Sequence, residues 1–470
     1  MMRVLSLLAL ILLTVNLKAQ TVTEKSIYQG QLSGLRLVLR LYPDSLTGKP
    51  AAHFESPDQT TQKIPVSRLH LSGDSLVAES ALINGNLKAR FSADRQTLSG
   101  TWSQHGRATP MTLKKVAKVE SAARPQTPKP PFPYRSEDVT YASADKSIRF
   151  GGTLTLPSGK GPFPAVILIS GSGQQDRDET LFGHKPFLVI ADHLTRNGFA
   201  VLRVDDRGVG QTTGIAGTSA EQARDVLAGL AFLKTRSEIN PKKLGLVGHS
   251  EGGIIGPLAA VQSKDVAFLV SLAGIGVKGL DLIKRQNYDI LKASAPMSEE
   301  FLGYFNDMYA ALYIETARQP LDKPDLTADL KRAMKDWQAR QPESRLRQMG
   351  VAGEAGEKVV EQFAPTASQR WYRSFLQYDP APVLSKLTIP VLALNGEKDL
   401  QVSSAENLAG FEKYLKQAGN KRFKTQSFPN LNHLFQTAKK GTIQEYGQLE
   451  ETFSPQVLAV MTDWLKAAAQ

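Results

Sequence analysis

The chain has 470 residues, a length that predicts roughly two or three domains, and its 41% hydrophobic and 22% charged residues provide enough apolar material for a sizeable core. It contains no cysteine, which excludes disulfides, cysteine metal ligands and a cysteine nucleophile. The formal net charge is +12, but the basic residues are interleaved with acids and do not form the clustered stripe that nucleic-acid binding requires. We therefore expect no nucleic-acid partner.

The N-terminal sequence MMRVLSLLALILLTVNLKAQ predicts a signal peptide over residues 1–19. Arg3 supplies the positive start, an apolar run follows, and Ala19 is the small residue before the cleavage point. A membrane anchor is the alternative, although the apolar run is short for a bilayer span. We expect an exported protein, periplasmic or secreted, without a stable membrane span once the signal is removed.

Residues 20–118 predict a small antiparallel all-β domain. Short alternating segments are separated by hairpin signals at Gly73-Asp74 and at Asn84-Gly85. A series of short strands of this kind indicates a barrel or a sandwich. The segment that follows, 119–136, contains five prolines between positions 125 and 133 and predicts a semi-rigid linker.

Residues 137–470 predict an α/β domain built on a mostly parallel, doubly wound sheet. Near-continuous apolar strands such as FPAVILIS at 163–170 and KLGLVG at 243–248 alternate with helical segments. The stretch from about 278 to 376 breaks this alternation because it is helical throughout. We expect it to form an inserted cap over the C-terminal edge of the sheet, where ligands bind in such folds.

The sequence VGHSEGG at 247–253 places Ser250 between Gly248 and Gly252 in the pattern G-x-S-x-G. A predicted strand leads into it and a predicted helix leads out, which is the context of a nucleophile mounted on a sharp turn. Both neighbours two positions away must be very small in such a turn. The alternative is a helix-capping serine on a helix packed tightly against a strand.

A serine nucleophile needs a base and an orienting acid. Only His433 follows the turn in the chain, after the last predicted strand, whereas His249 lies on the turn itself and should point away from Ser250. Asp399 comes directly after the strand at 390–395, with Glu397 as its rival. The chain order serine, acid, histidine is the order expected when the serine is mounted on a strand–turn–helix of a parallel α/β sheet.

The oxyanion of such a reaction needs backbone donors. One donor should be the N–H of Glu251, and the other should come from the loop after strand 163–170, with Ser172 preferred to Gly173. The side chain of Glu251 is predicted to be an acid of the first helical turn, stabilised by the helix dipole.

With these motifs the sequence resembles the α/β-hydrolase superfamily, above all bacterial serine esterases with GSGxQDRDE after the third strand, DDRGxG after the fourth and GHSEGG at the nucleophile. The resemblance covers about 137–275 and 378–470. It implies that Ser250, Asp399 and His433 form a catalytic triad, and that the preceding β domain is accessory. Ser170 stands where many relatives have histidine. The helical insertion lies outside the resemblance and looks specific to this sequence, so the resemblance implies no particular substrate.

Two charged clusters, 176–178 and 205–207, are predicted to be ion pairs that fix loops at the sheet edge. Asp176 and Arg177 are also candidates for the pocket wall. An S-x-x-K pattern begins at Ser143, as in penicillin-recognising enzymes, but this serine lies between two β segments and not at the start of a helix. The sequence shows no H-E-x-x-H, dinucleotide fingerprint or Walker loop, so we expect no metal and no cofactor.

Together these patterns predict a serine hydrolase that cleaves carboxylic esters with small or medium acyl chains. One alternative is a serine peptidase acting on short peptides, of the aminopeptidase or oligopeptidase kind, whose acids for the substrate amino terminus would come from Glu299, Glu300 or Asp307. Another is a non-catalytic binding protein whose β domain binds a glycan or the cell envelope. The partner is thus a small ester or a short peptide, and the oligomeric state stays open.

Overall fold

A computed structural model of the chain describes residues 25–32, 35–57, 63–104, 107–119, 123–294 and 297–470. The predicted signal peptide, 1–19, lies outside these residues. Contacts divide the chain into two compact units, 1–121 and 122–470. No helix within the described ranges is both long and apolar enough to cross a membrane.

In the described part of the first unit, nine strands form one antiparallel sheet. They are β1 Ser26–Leu32, β2 Leu35–Pro43, β3 Pro50–Glu55, β4 Ile64–Pro65, β5 Arg68–Ser72, β6 Ser75–Ser80, β7 Gly85–Phe91, β8 Thr97–Gln104 and β9 Arg107–Val116. Their order is β4-β3-β2-β1-β9-β8-β7-β6-β5. The sheet is a single curled half-barrel in which β3 approaches β5, and not a two-sheet sandwich.

Alternation of apolar and polar side chains builds the core of this unit. In β7 the inward residues Leu87, Ala89 and Phe91 are buried, while Lys88 and Arg90 between them are exposed. The inward side chains pack with Trp102 of β8 into one hydrophobic cluster. The predicted antiparallel all-β domain agrees with this arrangement.

The second unit contains an eight-stranded sheet among its described residues. Its strands are β10 Arg135–Ala142, β11 Arg149–Leu156, β12 Phe163–Ile169, β13 Ala200–Val204, β14 Ile239–His249, β15 Val266–Leu272, β16 Val391–Gly396 and β17 Phe423–Phe428. Their order is β10-β11-β13-β12-β14-β15-β16-β17. In this order, neighbours from β13 onward pair in parallel. Strand β11 pairs antiparallel with both β10 and β13. The prediction of a mostly parallel sheet is therefore confirmed.

The helices of the second unit are α1 Pro186–Arg196, α2 Ser219–Lys234, α3 Gly252–Ala260, α4 Gly279–Ser294, α5 Glu299–Arg318, α6 Thr327–Gln338, α7 Glu343–Met349, α8 Glu354–Ala367, α9 Arg370–Leu376, α10 Ala381–Leu384, α11 Ser404–Gln417, α12 Ile443–Tyr446 and α13 Pro455–Ala468. Helices α2, α3 and α11 share one hydrophobic cluster with the sheet, and α1 and α13 share another. Because the strands are covered on both faces, they are apolar almost throughout, as the sequence pattern indicated.

Helices α4 to α9, here called the inserted helices, lie in the chain between β15 and β16. They coincide with the helical stretch predicted at 278–376. They have a hydrophobic cluster of their own, which includes Leu312, Met334 and Trp337. A segment with its own core can be added between two strands without disturbing the sheet.

Part of the predicted linker, 119–136, is bound to the second unit. The Arg124 guanidinium donates hydrogen bonds to the carbonyl oxygens of Gly447 and Leu449, both at 2.8 Å. The Gln126 amide donates to the carbonyl of Phe453 at 2.7 Å. These partners lie more than 300 residues away in the chain, so the proline pattern alone could not reveal them.

Candidate active site

Ser250 lies between the end of β14 and the start of α3, with φ of 54° in the left-handed region that non-glycine residues rarely adopt. A Cβ on Gly248 would lie 2.1 Å from the carbonyl oxygen of Gly252. A Cβ on Gly252 would lie 2.2 Å from the carbonyl oxygen of Ile169. Only glycine fits at either position, and this is the physical content of the G-x-S-x-G pattern.

The three predicted triad residues meet at the carboxyl ends of the parallel strands. The Nε2 atom of His433 lies 3.0 Å from Ser250 Oγ, and its Nδ1 atom lies 2.7 Å from Asp399 Oδ2. Asp399 follows β16 and His433 follows β17, so both loops leave the same edge of the sheet as the serine turn. The histidine and the aspartate are buried.

The Asp399 carboxylate is oriented by its own loop. Its Oδ1 atom accepts hydrogen bonds from the backbone N–H groups of Gln401 and Val402, both at 2.8 Å. Oδ2 is left for the ring of His433. The carboxylate therefore holds the proton of the ring on Nδ1 and leaves Nε2 able to accept a proton from Ser250. The rival acid, Glu397, accepts a hydrogen bond from the Ser427 hydroxyl at 2.8 Å and makes no bond to His433.

His249, adjacent to the serine, is turned away from the Ser250 hydroxyl as predicted from the turn. Its Nε2–H donates to the carbonyl oxygen of His433 at 3.0 Å, and its Nδ1 lies 2.9 Å from Glu179 Oε1. Burial alone would lower the pKa of His249, but the Glu179 carboxylate, the carbonyl of His433 and the charge of Asp399 together raise it. The ring thus forms a buried ion pair with Glu179, next to Ser250 and His433.

The carboxylate of Asp206 holds the loop that follows β12. The Ser170 hydroxyl and the Gln175 N–H donate to the two oxygens of this carboxylate, each at 2.9 Å. The N–H of Gly171 is also occupied, because it donates to Glu179 at 2.7 Å. Ser170 therefore serves as an anchor of the loop.

The structure separates the two candidate oxyanion residues of this loop. Ser172 lines the cavity that contains Ser250, whereas Gly173 faces a small pocket on the other side of the loop. Within the described ranges, neither the Ser172 N–H nor the Glu251 N–H donates a hydrogen bond to the protein. The two amides are thus free to bind an oxygen atom that approaches Ser250.

Replacing Asp206 with asparagine should stabilise the protein at neutral and alkaline pH. Burial raises the pKa of Asp206 from its ordinary value near 3.8 to about 7. The contribution of Asp206 to stability should fall as the pH rises from about 4 through 7, because this carboxyl holds a proton in the folded state that it releases in the unfolded state. Asp206→Asn removes this dependence, so its advantage should grow to at most about 4 kcal/mol by pH 8.

Urea unfolding of both proteins between pH 4.5 and pH 8.5 tests this. A matched control is Asp265→Asn, on the surface pair with Lys234, which should follow the wild-type trend. Equal stability of the wild type and Asp206→Asn across the range would contradict the expected ionisation.

The structure places the charged clusters in the framework and not in the cavity wall. Arg177 binds Asp205 through Nε at 3.0 Å and through a terminal nitrogen at 2.7 Å, and it also reaches Asp138. Asp176 accepts the N–H groups of residues 178 and 180 in its own turn. Neither of the two candidate pocket residues, Asp176 and Arg177, lies in the cavity wall, because both are engaged in bracing the loop.

The side chain of Glu251 differs from the prediction. It is fully buried, and its two oxygens accept from Trp371 Nε1 at 2.8 and 2.9 Å and from the Ser219 hydroxyl at 2.6 Å. Burial raises the pKa of Glu251, and the hydrogen bonds from Ser219 and Trp371 favour the ionised form and partly offset burial. The residue after the nucleophile is therefore a tie to the inserted helices, and no signal in the sequence pointed to a partner 120 positions away.

A cavity of about 320 Å³ opens at Ser250. Helices α4 and α9 of the inserted helices contribute to its wall, with Leu282 and Ile283 from the first and Trp371 and Phe375 from the second. The opposite side is lined by further apolar and aromatic side chains, among them Leu181, Phe182, Leu434 and Ile443. The wall is mostly apolar, which suits an uncharged ligand.

The three acids proposed to hold a peptide amino terminus lie outside this wall. Glu299 binds Lys292, Glu300 binds the Tyr304 hydroxyl, and Asp307 accepts from Trp337 Nε1 at 2.8 Å. Their positions give no support to the peptidase alternative. No cluster of three or more His, Asp and Glu side chains in the described ranges is arranged to hold a metal ion.

Comparison with known proteins identifies similar chains. The family model for the alpha/beta hydrolase fold matches residues 164–436. Esterase EstD of Thermotoga maritima is 27% identical over 375 residues, covering 78% of this chain and 76% of EstD. The putative hydrolase YtaP of Bacillus subtilis is 30% identical over 148 residues, or 28% of this chain and 49% of YtaP. A solved structure of the Pyrococcus furiosus esterase Pf2001 is 15% identical, with a TM-score of 0.41, over 72% of this chain and 94% of that one.

Proposed function

Because the chain belongs to the alpha/beta hydrolase fold family, we propose that it is a serine esterase that cleaves carboxylic esters through an acyl-enzyme on Ser250. The observation that carries the proposal is the continuous chain of hydrogen bonds from Ser250 through His433 to Asp399, with distances of 3.0 and 2.7 Å. This arrangement allows a neutral imidazole to take the serine proton at the moment of attack. The similarity to esterase EstD supports the same reaction class.

In the first half of the reaction, Ser250 Oγ attacks the ester carbonyl carbon while its proton passes to His433 Nε2. The imidazolium, stabilised by Asp399, then gives this proton to the departing alkoxide oxygen, and the alcohol leaves. In the second half a water molecule gives its proton to His433 and attacks the acyl carbon. The carboxylic acid leaves, and Ser250 regains its proton from His433.

The tetrahedral intermediates carry negative charge on the former carbonyl oxygen. We assign its stabilisation to the backbone N–H groups of Glu251 and Ser172, which flank Ser250 and donate to no acceptor in the described part of the chain. The hydrogen bond of Gly171 to Glu179 removes the amide of residue 171 from the candidates.

The substrate we propose is an uncharged ester with a small or medium acyl chain. The cavity volume of about 320 Å³ and its mostly apolar wall support this choice. The wall contains a carboxylate at Glu179, but that carboxylate is paired with His249 and is not available to hold a substrate amine.

A fluorophosphonate probe tests the nucleophile directly. We expect stoichiometric labelling of the folded protein, with mass spectrometry mapping the adduct to Ser250. Heat-denatured protein, the control, should not be labelled because the probe requires an activated serine. An adduct on any other serine, or no adduct on folded protein, would contradict the proposal.

Activity should depend on acyl length. With p-nitrophenyl acetate, butyrate, octanoate and palmitate, we expect kcat/KM to be highest for one of the shorter three and to fall at least roughly tenfold for palmitate, because the long chain exceeds the cavity. Peptide p-nitroanilides should be turned over far more slowly than the best ester. Preference for the peptide substrates would favour the peptidase alternative.

A further inference from the structure

We propose that Glu179 and His249 act as a positioning pair that fixes the catalytic histidine relative to the loop carrying the oxyanion donor. The inference rests on the proposed esterase function. Neither residue takes part in the proton transfers described above, yet both lie in the cavity wall next to Ser250.

Glu179 has a buried carboxylate and a strained backbone, both of which cost free energy. Its side chain is 1% exposed, and its backbone has φ of 50°, in the left-handed region. In this position Oε1 accepts the N–H of Gly171 at 2.7 Å and faces His249 Nδ1 at 2.9 Å. Gly171 directly precedes Ser172, so the carboxylate fixes the peptide next to the proposed oxyanion donor.

His249 continues the connection on the other side. A carbonyl oxygen can only accept, so His249 Nε2 must carry a proton for its 3.0 Å bond to the carbonyl of His433. The two imidazole rings lie 4.9 Å apart, centre to centre. The ring therefore holds the backbone of the base, while the side chain of the base remains free to exchange protons with Ser250.

One chain of hydrogen bonds thus runs from the Gly171 N–H through Glu179 and His249 to the His433 carbonyl. It joins three segments that are 70 and 184 residues apart in sequence. The distance from base to oxyanion donor matters most in the transition state, so loss of the pair should lower kcat more than it changes KM. If the pair only filled the core, its loss would lower stability and leave kcat unchanged.

Three variants test the pair: His249→Phe, which keeps a ring but removes both bonds, Glu179→Gln, which keeps the volume and an acceptor for Gly171, and the double variant. With p-nitrophenyl butyrate we expect kcat to fall roughly 10- to 100-fold in His249→Phe, with KM within about threefold. Glu179→Gln should lose a smaller factor. The double variant should lose about as much as His249→Phe alone, because the two residues act as one unit.

The matched control is Thr155→Val, which breaks the buried 2.7 Å hydroxyl pair with Thr195 in the same unit but away from the cavity. It should lower the melting temperature and leave kcat unchanged. Folded His249→Phe or Glu179→Gln with wild-type kcat would overturn the inference, as would additive losses in the double variant. If neither single variant folds, the pair is a determinant of folding and the inference is wrong.

These outcomes are separate from the proposed function itself. A wild type that neither turns over esters nor reacts with the fluorophosphonate would refute the esterase. A wild type that does both, with variants of unchanged kcat, would refute only the positioning pair.

Discussion

Replacing Ser250 with alanine should lower kcat for p-nitrophenyl butyrate by a factor on the order of 10⁴ to 10⁶. Without Oγ no acyl-enzyme can form, and His433 has no hydroxyl to activate. The remaining rate would come from water attacking an ester held by the two free amides. Steady-state kinetics with highly purified protein measures the loss, and circular dichroism checks that the variant is folded.

The matched control for this experiment is Ser143→Ala. Ser143 is the serine of the S-x-x-K pattern, and in the structure its hydroxyl donates to Asp145 at 2.6 Å in the turn between β10 and β11. We expect its loss to change kcat by less than about twofold, as for a surface turn. Near wild-type activity of Ser250→Ala, or inactivity of Ser143→Ala, would refute the assignment of the nucleophile.

The proximity of the three proposed triad residues was predictable because it follows from chain order. Parallel strands end at one edge of a sheet, so Ser250, Asp399 and His433, each directly after a strand, had to approach one another there. Chain order separates Asp399 from Glu397 less clearly, because both acids follow β16. Asp399 lies two residues further along the loop, where the N–H groups of Gln401 and Val402 orient its carboxylate.

The contacts that the sequence did not reveal are those between distant segments. Glu251 was expected to be a dipole-stabilised acid, and nothing in the local pattern shows that Trp371 and Ser219 converge on it. The same holds for Arg124 in the proline-rich segment, whose acceptors are carbonyl groups near the far end of the chain. Local periodicity determines which face of an element is buried, but not which distant polar group it meets.

Glu251 also helps to fix the wall of the cavity. Its backbone N–H is a proposed oxyanion donor, and its carboxylate holds Trp371 of α9 in the cavity wall. The adjacent Arg370 is bound to Glu221 of α2 by two hydrogen bonds, at 2.8 and 2.9 Å. Helix α9 is therefore bound to the rest of the second unit at two consecutive residues, one of which, Trp371, lines the cavity.

The replacement Asp399→Asn should lower kcat by a factor of roughly 10³ to 10⁴ while the protein stays folded. The two backbone N–H groups of Gln401 and Val402 require an oxygen where Oδ1 now lies, so the asparagine must place its NH₂ group toward His433. That group donates and cannot accept the proton on Nδ1. The ring would then carry its proton on Nε2, where it can no longer accept the proton of Ser250.

The control Glu397→Gln separates orientation of the base from a general loss of negative charge at this edge of the sheet. Glu397 is exposed and accepts only from Ser427 among the described side chains, so its neutralisation should leave kcat within about twofold of the wild type. Substitution at 397 that removes activity, with Asp399→Asn still active, would exchange the roles of the two acids. The expected result, loss at 399 alone, would show that the tautomer of His433 is set by a carboxylate which two backbone amides hold in one orientation.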